Sequence, residues 1–141
     1  MRVTAAASRP ERRKAMMRFM VIVKASRDSE SGKPPEEKVL TQIAKFEDQL
    51  VRAGVMVVAE GLEASSKGAR VRFEGSKRTV IEGPFAEANE LIGGFWIWEL
   101  KSKEEAIHWL ERAPFEEGEV DIRQLIEAED FRWRSSEATA G

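Results

Sequence analysis

"GPFAEANELIGGFWIW", residues 83–98, joins a tight acidic turn to a strand that is apolar on both faces. Successive side chains in a strand point to opposite sides, so Phe95 and Ile97 share one face while Trp96 and Trp98 share the other. "RFMVIVKA" (18–25) behaves alike, with Phe19, Val21 and Val23 opposite Met20 and Ile22. An antiparallel sheet with helices on one side ordinarily shows polar residues on its other side, and neither strand does. Two tryptophans on an uncovered sheet, each with roughly 150–250 Å² of buriable surface, would form an aggregation-prone patch. The expectation is a homodimer packed sheet to sheet, with Trp96 and Trp98 at its core. Gly93 and Gly94 admit a close backbone approach where this strand begins.

Around that strand the chain alternates between strand and helix patterns. After the first strand, 26–35 reads as a flexible loop. Pro34, Pro35, Glu36 and Glu37 then make a helix start, with carboxylates at the positive end of the dipole. Val39, Ile43, Phe46 and Leu50 follow as one apolar stripe, and Gly54 stops the helix. "VMVVAEGL" (55–62) is a second strand, 63–69 a loop, and "RVRFEGSKRTVIEG" (70–83) a hairpin turning at Gly75-Ser76. Ser102 and Glu105 form a capping box that opens a second helix, whose buried side is Ala106, Ile107, Trp109 and Leu110. Pro114 closes that helix, and 119–128 is the last strand. The order β-α-β, inserted hairpin, β-α-β is a ferredoxin-like α+β plan: an antiparallel sheet with both helices on one face.

Composition sets the limits. The chain has 141 residues, enough for one domain with a real core, and a formal net charge of −2. Residues 1–17 hold Arg2, Arg9, Arg12, Arg13 and Lys14 against Glu11, a net of +4, which leaves −6 for 18–141. An acidic body argues against nucleic acid as a partner. There is no cysteine, which excludes disulfides, thiol chemistry and thiolate metal sites. No apolar run is long enough to span a bilayer, so no membrane partner is expected and the reading places the protein in the cytoplasm. Residues 1–17 lack the apolar core of a secretory signal and read as a disordered extension, or as sequence upstream of a true start at Met16 or Met17. The domain runs over 18–131, and 132–141 reads as a flexible tail.

"RAGVMVVAEGL" (52–62), "EGPFAEANELIGGFWIW" (82–98), "SKEEAIHWL" (102–110) and "EVDIRQLIEAEDF" (119–131) stand in an order that resembles the YCII-related, or DGPF-domain, family of small bacterial proteins. The similarity covers most of 18–131. It implies a ferredoxin-like fold assembled as a dimeric α+β barrel. The wider superfamily includes isomerases, lyases and monooxygenases, while most members of this branch have no assigned activity. Related domains occur in proteins associated with RNA polymerase sigma factors, which leaves a regulatory role open. Two departures matter. The family's leading Asp is Glu82 here, and catalytic relatives use a His–Asp pair near the first strand, where this chain has no histidine. Its one histidine, His108, falls in the second helix and reads as a surface or packing residue.

The candidate site collects at the strand ends. Glu82 and Glu60 are the candidates for a general base; Gly83, Pro84, Phe85, Glu87, Glu90, Arg123 and Trp96 are the candidates for ligand contact. An arginine among carboxylates beside an aromatic wall would orient a small anionic or aromatic molecule in a cavity between sheet and helices. Three readings stand: a ligand-binding module on that cavity, an isomerase- or lyase-type enzyme with a carboxylate base, and a regulatory or structural dimer with no ligand. No sequence spacing matches a metal loop or a cofactor-binding motif, so neither metal nor cofactor is expected.

Overall fold

The structure, a computed structural model, describes residues 16–85 and 90–128. In chain order the elements are β1 (Met17–Lys24), α1 (Arg27–Glu30), α2 (Glu37–Arg52), β2 (Met56–Gly61), a 3₁₀ turn (Ser65–Lys67), β3 (Ala69–Glu74), β4 (Lys77–Glu82), β5 (Ile92–Leu100), α3 (Lys103–Leu110) and β6 (Val120–Gln124). Four strands form one sheet in the order β2-β5-β1-β6, every neighbouring pair antiparallel; β3 and β4 form a separate hairpin. This is the ferredoxin-like α+β fold that the sequence pattern predicts, with the hairpin inserted between the two halves. The strands match the expected runs to within one residue, with β1 beginning at Met17 and β3 at Ala69, each one residue early; the last strand is shorter than expected, ending at Gln124.

The core lies between the sheet and the two longer helices. Phe19 and Val21 of β1, Trp96, Trp98 and Leu100 of β5, Phe46 and Leu50 of α2, and Ala106 of α3 form one buried cluster. The position of the tryptophans corrects the sequence reading. Trp96 and Trp98 are 5% and 0% exposed and face the helices, not an interface between copies. They stack on each other at 5.6 Å, and Phe46 meets both edge-on at 5.7 and 6.2 Å. The reason is volume: α2 offers only Phe46 and Leu50 as fully buried side chains, and two indoles fill the depth that remains. The face that carries no helix among the described residues is instead made by Met20 and Ile22 of β1 with Phe95 and Ile97 of β5, all half-buried.

Other local departures have equally plain causes. Residues 27–30, expected within a loop, form the short α1, because Ser26 and Ser29 cap each other: the Ser29 N–H donates to Ser26 Oγ at 3.1 Å and the Ser26 N–H to Ser29 Oγ at 2.8 Å. Val39 is 38% exposed, because the first turn of α2 stands clear of the sheet and only Ile43, Phe46 and Leu50 of its stripe pack inward. Ile107, expected on the buried side of α3, is 40% exposed, while Ala106, Trp109 and Leu110 do face the core. Ser102 caps α3 by accepting the Glu105 N–H at 3.2 Å, but Glu105 reaches back one residue further than expected, to the Lys101 N–H at 3.1 Å. Gly94 has the close approach its position suggested: a β-carbon there would lie 2.9 Å from the Glu60 carbonyl oxygen of β2.

Candidate functional site

The distinctive contacts gather where the Gly-Pro turn meets the segment after β2. The Gly83–Pro84 peptide is cis. The Gly83 N–H donates to the Gly68 carbonyl at 3.0 Å, which docks the turn on the 3₁₀ segment. Ser65 then links three pieces of chain. Its Oγ accepts the Phe85 N–H at 3.0 Å and donates to Glu30 Oε1, while its own N–H donates to Glu30 Oε2 at 2.9 Å. Glu30 stands at the end of α1, so the mutual cap of Ser26 and Ser29 fixes the helix that supplies this carboxylate. The Arg70 guanidinium lies 4.3 Å from the centre of the Phe85 ring and holds the ring from the hairpin side.

Beside this clamp is a cavity of about 390 Å³, with Leu62, Phe85, Leu91 and Ile92 as its apolar wall. Glu30 and Ser65 also line it, and Glu90, Glu63 and Lys67 stand around it. Lys67 Nζ pairs with Glu63 Oε2 at 2.8 Å. That contact holds the Glu63 carboxyl below its ordinary value and the Lys67 ammonium above its own, by the hydrogen bond first and the opposite charge second. Each oxygen of Glu30 accepts a hydrogen bond from Ser65, so this carboxylate acts as a structural clamp between α1 and the segment after β2.

The expected site residues are divided among several places. Gly83 sits against Ser65, Phe85 lines the cavity, Pro84 is exposed at the turn, and Glu90 is exposed near the cavity mouth. Glu87 lies outside the described residues. Glu82 ends β4, exposed, across from Ala69. Glu60 is exposed across from Phe95, on the uncovered face of the sheet. Arg123 is opposite Met20 on β6 and lines a different groove, with α3. Trp96 is in the core, its Nε1 donating to Glu47 Oε2 at 2.8 Å. The cavity thus lies at the end of the sheet, because the space between sheet and helices is filled by Trp96, Trp98 and Phe46. Arg123 is no anion clamp for it.

Glu30 and Ser65 escaped the sequence reading because each stood in a polar stretch read as loop. The signals were there in part: S-x-x-S at 26–29 is a capping pattern, and a Gly-Pro turn must find partners for its neighbouring backbone donors. His108 is exposed, with Nδ1 3.5 Å from Glu111 Oε1 on the same helix. No group of three or more histidine, aspartate or glutamate side chains among the described residues is placed to hold a metal ion. No described helix is long and apolar enough to cross a membrane.

The family profile of the YCII-related domain matches residues 17–129. The chain belongs to the YCII-related domain family. The match runs from β1 through β6 and takes in both the cavity and the hairpin. The chain is also similar to the "Uncharacterized protein R00369" of Rhizobium meliloti (strain 1021), 27% identical over 97 residues, which cover 67% of this chain and 78% of the relative. The YCII-related fold and the relative's name say nothing of a reaction, so function has to be argued from the site itself.

Proposed function

We propose that this YCII-related protein is a cytoplasmic homodimer that binds a small, largely apolar molecule in the cavity beside the Gly-Pro turn, without transforming it. The observation that carries the reading is the cavity: about 390 Å³, within the range for small ligands, lined by an aliphatic and aromatic set and by the polar side chains of Glu30, Glu63, Ser65, Lys67 and Glu90. A neutral or cationic head group suits that polar lining. Glu63 and Lys67 pair with each other, which leaves the carboxylates of Glu90 and the clamped Glu30 unbalanced among the lining residues and disfavours the anionic ligand expected from Arg123. Glu60, Glu82 and Arg123 occupy separate places, so neither carboxylate expected to act as the base of an isomerase or lyase lines this cavity.

The dimer reading rests on the uncovered sheet face. Met20, Ile22, Phe95 and Ile97 make an apolar centre between two ion pairs, Arg18 with Glu127 at 2.9 Å and Lys24 with Asp121 at 3.2 Å. An apolar centre with a charged rim is the anatomy of a protein interface. Its cysteine-free chain carries no disulfide for an oxidising compartment to form.

A thermal-shift comparison of benzylamine, benzamide and benzoate tests the ligand reading. Benzylamine or benzamide should raise the melting temperature more than benzoate, and Leu91→Trp, which fills the cavity, should abolish the shift. No shift with any of the three, or a shift indifferent to Leu91→Trp, would overturn it. Light scattering tests the dimer: the wild type should have twice the chain mass and Ile97→Glu the mass of one chain, and a wild-type monomer at micromolar concentration would end that reading.

A further inference from the structure

We propose that Glu60 of one copy pairs with Arg123 of the partner subunit across the sheet-face dimer, twice by symmetry, about a two-fold axis that runs along the strands. This rests on the homodimer reading above and fixes which way the two copies face.

The register of the sheet locates both residues. One row across the face without helices reads Asp121, Ile22, Phe95 and Glu60, from β6 to β2. The next row reads Arg123, Met20, Ile97 and Val58. Glu60 and Arg123 therefore stand at opposite edges of one face, and both are exposed. Asp121 is held by Lys24 at 3.2 Å and Arg18 by Glu127 at 2.9 Å. Neither Glu60 nor Arg123 makes an ion pair with a described residue.

The two charges cannot meet within one chain. In the order β2-β5-β1-β6 they lie three strand spacings apart, roughly 14 Å, with Phe95, Ile97, Ile22 and Met20 between them. Burying that apolar centre in a dimer brings both to the rim of the interface. A charge there is partly stripped of water and gains from an opposite charge on the facing copy.

Charge also decides between the two ways of stacking the sheets. Sheets packed face to face lie about 10 Å apart with their strands within about 30° of each other. The two-fold axis through the apolar centre then runs either along the strands or across them. Along the strands, the β2 edge of one copy lies over the β6 edge of the other and rows keep their level. Glu60 arrives over Asp121 of the partner subunit, whose charge Lys24 already holds, with the partner's Arg123 one row away, about 7 Å along the strand. Across the strands, β2 lies over β2: each Glu60 then faces Val58 of the partner subunit and the partner's Glu60, with no cation. Only the first arrangement gives both unpaired charges an opposite one, and the two-fold makes the contact reciprocal. Glu60 and Arg123, which the sequence groups in one site, thus meet between copies and not within one.

Exchange of charge tests the pair. Glu60→Arg and Arg123→Glu, each made in the full chain, should raise the dimer dissociation constant by on the order of tenfold or more, since each variant dimer holds two like-charged contacts. An equimolar mixture of the two variants should dimerise at a concentration where each alone is a monomer by light scattering. One Glu60→Arg chain and one Arg123→Glu chain present opposite charges at both contacts, and native mass spectrometry should show the mixed dimer. A wild-type dimer whose affinity Glu60→Arg leaves unchanged, or a mixture that associates no more tightly than its components, overturns the pair and leaves the sheet-face dimer standing. A wild-type monomer overturns both.

Discussion

The Ser65 carbonyl group fills the space a side chain at position 83 would need: a β-carbon on Gly83 would lie 1.7 Å from its oxygen and 2.6 Å from its carbon. The Gly-Pro turn is therefore pressed against the 3₁₀ segment at full contact. The neighbouring hydrogen bonds, Gly83 to Gly68 and Phe85 to Ser65, depend on that closeness. The glycine is there for lack of a side chain, since its backbone φ is not among the positive ones.

Gly83→Ala should accordingly be costly. The obstructing atoms are backbone, so the methyl group is accommodated only by moving the turn off Ser65, a forced overpacking worth about 1–3 kcal/mol. Urea denaturation would show the loss as a lower midpoint with little change in slope. An unchanged midpoint would mean that the turn does not sit where Ser65 excludes a side chain.

Ser65→Ala should loosen the same clamp by a different route. It removes the acceptor of the Phe85 N–H and one of two donors to Glu30, leaving half-buried polar groups without their partners, at about 1–3 kcal/mol. Hydrogen exchange localises the effect: the Phe85 amide should exchange faster in the variant while amides in β1 keep their protection relative to global stability. Unaltered exchange at Phe85 would argue that its hydrogen bond to Ser65 contributes nothing.

The two stacked indoles should respond unequally to the same substitution. Trp96→Phe gives up a 2.8 Å hydrogen bond to the Glu47 carboxylate, a charged-partner bond worth about 1.5–3 kcal/mol. Trp98→Phe removes an Nε1 that is buried with no partner among the described residues, which offsets part of the packing lost. Trp96→Phe should be the less stable by about 1–2 kcal/mol, given similar loss of volume at both positions. Equal midpoints in denaturant, or a lower one for Trp98→Phe, would contradict the assignment.

Legibility in the sequence followed the range of the interactions. Strand alternation and the α2 stripe are local and periodic, so the α+β order and the antiparallel sheet could be read directly from residues such as Phe19 and Leu50. Trp96 and Trp98 show the limit of periodicity: alternation divides a strand into two faces without saying which one the helices cover, and that depends on how much volume α2 and α3 supply. The site was harder still. Its central contact joins Glu30, Ser65 and Phe85, separated by 35 and 20 positions, and no spacing rule links residues that far apart. Arg123 was grouped with the carboxylates because strand ends converge in such folds, yet β6 and the Gly-Pro turn lie at opposite edges of the sheet.

The Glu63–Lys67 pair near the cavity gives a prediction in pH. Glu63 titrates below its ordinary 4.5, so its pairing contributes above about pH 4.5 and is lost as pH falls through the lower folded value. Lys67 titrates above its ordinary 10.5, so its share is present below that and is lost as pH rises through the higher folded value. Between those limits the pair is indifferent to pH, and full exposure keeps its contribution to stability small. The carboxyl carbon of Glu63, followed by NMR, should therefore show a midpoint below 4.5 that returns toward 4.5 in Lys67→Gln. Salt at about 1 M, where the screening length is about 3 Å, should produce part of the same return in the wild type. A Glu63 midpoint at or above 4.5 in the wild type, or one that Lys67→Gln leaves in place, would show that the two side chains are not paired at the cavity rim.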